Sequence, residues 1–116
     1  MKIIEAVSQI DGLRPNAYSA WQKVNWLSGL EALVHSQVLK APFAEFTPQT
    51  DTDTELTMAA PFDAAYLYWL EAQIHYANED IELYNSAIRL FNDVWRAFQQ
   101  DYHRNRGGQD TGRFRF

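Results

Sequence analysis

Apolar positions along this chain fall into four runs with helical spacing. Ile3, Ile4, Val7 and Ile10 lie on one side of a short first helix. It should stop near Asp11-Gly12, because glycine commonly follows a helix end. Arg14-Pro15-Asn16 reads as a turn. Ser19 with Gln22 three residues on predicts the capped start of a second helix. Its stripe is Trp21, Val24, Leu27, Leu30, Val34 and Val38, flanked by Trp26 and Leu33, and it should end before Pro42. A third run after Pro61 carries Phe62, Tyr66, Leu70, Ile74 and Ala77, widened by Tyr68 and Trp69. The fourth, over 81–102, places Ile81, Tyr84, Ile88, Phe91, Trp95, Phe98 and Tyr102 on a single stripe.

Asn78-Glu79-Asp80 separates the last two runs. The stripe passes through it in phase, so one helix of about 60 Å is geometrically open. Asn and Asp are poor in helix interiors, and Asp80 suits the cap of a new helix. The expectation is a tight helix–helix hairpin. Residues 42–61 differ in kind. Two prolines in Pro42-Phe43-Ala44-Glu45-Phe46-Thr47-Pro48 forbid a helix, and Thr50 to Glu55 is polar and β-branched. A long extended excursion, with or without a hairpin, is expected; a connection of that length is either functional or a mobile acidic loop. Gly107-Gly108 should fray the last helix near Asn105. The expected fold is therefore all-α: a small four-helix bundle with an extended loop or hairpin at about 42–60. Residues 1–106 form the helical domain, and residues 107–116 a flexible basic and aromatic tail.

Composition adds limits. At 116 residues, one domain with a small core is expected. With no cysteine, disulfides and thiolate metal sites are excluded. No apolar run reaches the roughly 18 residues of a membrane span, and Glu5 comes too early for a signal peptide, so a cytoplasmic setting and no membrane partner are expected. The net charge is −5. Residues 1–102 hold 6 basic and 14 acidic side chains, whereas 103–116 hold four arginines against Asp110. An acidic body does not bind nucleic acid by neutralising phosphates, but it can repel DNA or meet a basic protein surface.

Candidate chemistry is sparse. His75 has Glu71 and Glu79 four residues to each side, but a carboxylate-bridged metal bundle needs a second helix with Glu-x-x-His spacing. An ordinary surface histidine in i, i+4 pairs is the simpler reading. His35 lies beside Val34 on the second helix with no thiol near it in sequence, and His103 sits at a helix C-terminus where cations are favoured. No phosphate-binding glycine loop or nucleophile motif occurs. Asp51, Asp53 and Glu55 make only a fragment of a calcium loop, without its glycine and distal glutamate. No enzyme activity, no cofactor and no metal is expected.

Four Trp, six Tyr and seven Phe exceed what so small an interior easily holds, and exposed aromatic anchors recur at protein interfaces. Base stacking is the rival use, but it wants basic residues between the rings. Glu82, Asp93 and Asp101 stand there as often as Arg89 and Arg96. The candidate contact residues are Phe43, Phe46 and Asp53 in the excursion, Trp95 and Tyr102 on the last helix, and Arg113, Phe114, Arg115 and Phe116 in the tail.

A family likeness is carried by Leu13-Arg-Pro-Asn-Ala-Tyr18, Lys23-Val-Asn-Trp-Leu27, Asp53-Thr-Glu-Leu56 with Pro61, Tyr66, Leu70-Glu-Ala-Gln-Ile-His-Tyr-Ala-Asn78, and Tyr84-Asn85 with Phe91-Asn92. In that order and at those intervals the chain resembles the head–tail connector (adaptor) proteins of tailed bacteriophages and prophages. The resemblance implies an all-helical subunit that assembles as a ring under the portal protein and extends the DNA channel. It also implies docking of a stopper or tail-completion protein below. DNA would pass through without specific binding, and assembly in the host cytoplasm would end in the virion neck. The family has no catalytic residues to carry over. Residues 42–57, with two prolines and no long insertion, depart from the pattern, so no partner contact transfers there. Alternatives are another phage morphogenesis protein, such as a tail-completion subunit, or a small helical nucleic-acid-binding regulator.

Overall fold

The computed structural model describes the backbone of residues 1–114 and the side chains of residues 1–105. Four α-helices follow one another: α1 (Ile3–Leu13), α2 (Ala20–Leu33), α3 (Ala64–Ala77) and α4 (Ile81–Phe114). The fold is all-α, as the apolar spacing predicts, and no strand forms among the described residues. Helix α3 is the centre: α1 and α2 pack on it from one side, and α4 lies along it from the other. The body is 19 Å in its thinnest dimension, about two helix diameters.

Helix ends follow local chemistry. The Ser19 hydroxyl accepts the Gln22 N–H at 3.0 Å and caps α2. That helix is prolonged by a π-helical turn over Val34–Leu39, and the chain leaves it at Lys40 in the left-handed conformation (φ 55°). The helix–helix hairpin is present. Glu79 takes a left-handed backbone (φ 62°), and the Asp80 carboxylate accepts the Leu83 N–H at 3.2 Å, so α3 and α4 are two helices and not one.

Some expectations shift. Gly12 is helical and does not stop α1. The chain turns after Leu13, where the Arg14 N–H bonds the Ile10 carbonyl at 2.8 Å and Pro15 blocks continuation. Ile4 and Trp21 are exposed although their spacing put them on buried stripes. Ala6 takes the inward place on α1. Helix α4 passes Gly107-Gly108 and reaches Phe114, beyond the fray point expected near Asn105. Glycine raises the cost of a helix without forbidding it.

The long connection, here called the strap (40–61), is extended and contains no hairpin. Its middle runs beside the start of α1. The Ile3 N–H donates to the Thr54 carbonyl at 3.0 Å, Ile4 to Thr52 at 2.9 Å, and the Leu56 N–H to Met1 at 2.9 Å, around one antiparallel bridge between Lys2 and Glu55. Leu56 and Met58 are buried in the core with Ile3, Leu27, Leu30 and Leu70.

Candidate functional site

The aromatic face of α4 turns inward. Phe91 and Phe98 are buried. Phe91 meets Trp69 of α3 at a ring distance of 5.2 Å, and Phe98 meets Phe62 at 5.7 Å. Trp95 is half-buried between them, 5.9 Å from Phe91 and 6.2 Å from Phe98, and half-buried Tyr102 continues the ladder 6.2 Å beyond Phe98. The two α4 contact candidates are thus part of the packing between α4 and the rest of the body. Each keeps one open edge.

Phe43 and Phe46 are also half-buried. They pair edge to face at 5.4 Å, and Phe43 lies 4.8 Å from the His35 ring. The Phe46 N–H donates to Ser28 Oγ at 2.9 Å, tying the strap to α2. Asp53 is exposed, and its N–H donates to Asp51 Oδ1 at 2.9 Å. The side chains of Arg113, Phe114, Arg115 and Phe116 lie outside the described residues.

Polar burial brings together residues that spacing did not single out. Glu31 on α2 is 3% exposed and Tyr66 on α3 is fully buried. Glu31 Oε2 accepts the Thr57 N–H at 3.2 Å and the Thr57 hydroxyl at 2.8 Å, and Oε1 accepts the Tyr66 hydroxyl. The Tyr66 oxygen in turn accepts the Met58 N–H at 2.8 Å. Burial, then the neighbouring Glu31 charge and its hydrogen bond, push the Tyr66 phenol far above its ordinary value. Glu31 forms no ion pair among the described residues; neutral donors alone satisfy it. This cluster joins α2, α3 and the end of the strap.

A second cluster closes the turn between α1 and α2. Buried Lys23 donates to Asp11 Oδ1 at 2.6 Å and to Asn16 Oδ1 at 3.1 Å. Burial raises the Asp11 carboxyl, but the hydrogen bonds from Lys23 and Asn16 and the Lys23 charge together outweigh it, so the net shift is downward. His75 is buried and not on the surface. Its Nε2 lies 3.3 Å from Glu71 Oε2, which also meets Arg14 Nε at 3.3 Å. Glu79 lies beyond the end of α3 in the left-handed turn and is exposed, so the three-residue set does not form on one helix face. Among the described residues no group of three or more His, Asp and Glu side chains is placed to hold a metal ion. No described helix is long and apolar enough to cross a membrane.

What is outward is apolar at several points. Tyr76 is 62% exposed and Ile81 56%, flanking the α3–α4 turn, with Leu83 and Leu90 seven residues apart on the outer side of α4. Ile4 is open on α1, and Trp21 is open on α2 beside the strap. Of these, Ile4, Trp21 and Ile81 belong to the predicted apolar stripes. The others follow from which side of each helix α3 covers. No family model, no curated protein and no solved structure matches this chain.

Proposed function

We propose that the protein is a structural assembly subunit, a head–tail connector of a tailed phage or prophage, that forms a ring under a portal and docks the next neck or tail protein. The observation that carries this reading is the outward placement of large apolar side chains on separate elements of a small acidic body. Tyr76, Ile81, Leu83 and Leu90 lie on α3 and α4, and Trp21 beside the strap. A closed ring requires two different faces on each subunit, because its contacts are heterologous. The resemblance in sequence supplies the identity of the partners, the portal protein above and a stopper or tail-completion protein below. The acidic body suits a channel wall that repels DNA and lets it slide.

The test is reconstitution. Purified protein mixed with isolated portal rings should add a ring of density on one portal face in negative-stain images, and the two should co-sediment. Portal rings that emerge bare at saturating protein would overturn the proposal. Tight, steeply salt-dependent DNA binding would favour the nucleic-acid-binding regulator instead.

A further inference from the structure

Beside Trp21 the strap and the first turns of α2 enclose a shallow groove of about 190 Å³, bordered by Val24, Pro48, Thr50 and Thr52. That is below the roughly 300 Å³ of a small-molecule site, and it suits one or two side chains of a protein segment. Its lining is apolar and hydroxyl-bearing, and exposed Asp51 and Asp53 adjoin the lining residues Thr50 and Thr52 along the strap. Glu45, Asp51, Asp53 and Glu55 are all exposed along the strap, and the N-terminal amine reaches only Glu55. Among the described residues neither Asp51 nor Asp53 meets a lysine or arginine.

The chain contains one segment of the opposite character. Residues 113–116 read Arg-Phe-Arg-Phe, and the four arginines of 103–116 face a single Asp110. We infer that the C-terminal Arg-Phe-Arg-Phe segment of one copy docks in the groove between α2 and the strap of a second copy, with its rings against Trp21 and Pro48 and its guanidinium groups on Asp51 and Asp53. The contact runs between copies because the backbone of α4 stays helical to Phe114, about 18 Å along the axis past Tyr102, and a continuous helix does not turn back to its own strap. Docking one end of a chain in the side of the next is a heterologous contact, the kind that propagates around an axis. The inference rests on the proposed assembly of copies into a ring, and names the surface that joins them.

A fluorescent peptide of residues 104–116, titrated into protein truncated after Arg106, tests it by anisotropy. Saturable binding is expected. It should weaken at least tenfold with Asp51→Lys/Asp53→Lys, and to the same degree with Arg113→Glu/Arg115→Glu in the peptide. Combining the two charge reversals should restore it, which no general loss of folding can do. Circular dichroism of the truncated protein checks that it keeps its helices. Absence of saturable binding, or binding indifferent to both reversals, overturns the inference. Because the chain has no cysteine, single Thr50→Cys and Phe116→Cys proteins can be mixed and oxidised. A disulfide-linked heterodimer supports docking between copies. If the double variant instead closes the disulfide within one chain at high dilution and the mixture gives no heterodimer, the contact is internal and the inference is wrong. Failure of these tests while rings still form on the portal removes this contact and leaves the connector reading standing. Success without portal binding does the reverse.

Discussion

Helix α4 and the strap are attached to the same body by opposite means. Helix α4 packs on α3 through a ladder of rings, Phe91, Trp95, Phe98 and Tyr102, with few polar contacts to the rest of the molecule. The strap has two core side chains, Leu56 and Met58, and half-buried Phe46 against the core with Phe43 on His35, but most of its attachments are hydrogen bonds: to the start of α1, to Ser28, and to Glu31 with Tyr66. Ring burial is non-directional and roughly proportional to area, so losing one ring weakens the whole unit. Hydrogen bonds are directional, and a buried donor left alone costs its full desolvation. Losing one should loosen a segment before it unfolds the protein.

The sharpest way to break this contrast is to truncate one ring. Phe98→Ala should destabilise the protein by about 3–5 kcal/mol, read as a single cooperative shift in urea unfolding. A local change with the global midpoint unmoved would show that α4 is not part of the cooperative core. Glu31→Ala comes next. It strands the Thr57 N–H and hydroxyl and the Tyr66 hydroxyl, and should cost about 3 kcal/mol. Hydrogen exchange at Leu56, Thr57 and Met58 should accelerate more than at α4 amides. Equal acceleration everywhere would erase the distinction between the two regions. Ser28→Ala removes only the acceptor of the Phe46 N–H. About 1 kcal/mol is expected, with faster exchange confined to the strap near Phe46.

The smallest effects are with pH, and their signs differ. Tyr66 is shifted upward from 10.0, so the folded state holds its proton where the unfolded chain has lost it. Its contribution is whole below pH 10 and falls as pH rises beyond that. Ultraviolet titration should show one tyrosine fewer ionising in the native protein than after unfolding. Asp11 is shifted downward from 3.8. Its contribution is present above that value and is lost as pH falls through the lowered one. The partly exposed carboxylate makes this a slight effect, visible as a shallow acid limb in thermal unfolding that Asp11→Asn removes.

The same contrast explains what could be read in advance. Apolar spacing is a local signal, so all four helices, the Asp80 cap and the single aromatic stripe of α4 are legible, whereas which of its rings turn inward is not. The polar anchors were not. Lys23, Ser28 and Glu31 fall between apolar positions of α2 and look like solvent-facing residues. Glu31 finds its partners 26 residues away at Thr57 and 35 away at Tyr66, and spacing along one helix carries no trace of either. His75 was placed on the surface for the same reason. The strap's extended course followed from its prolines, but its anchoring did not, because its backbone bonds reach the first residues of the chain. Ile4 and Trp21 were placed inward because a stripe states which residues share a side, not how much of that side a neighbour covers.

The hydroxyl of Tyr66 sits where α2, α3 and the end of the strap meet, giving a hydrogen bond to one and taking one from another. Mechanically it is a rivet. A pull on the strap's exposed middle is resisted at three places: the Phe46 N–H on Ser28 before it, and the backbone bonds to α1 and this buried oxygen after it. Load entering at Asp51 or Asp53 therefore passes to α2 through Ser28 on the preceding side, and to α1 and then to Glu31 and Tyr66 on the following side. Helix α4, with no described hydrogen bond to the strap, carries none of it directly.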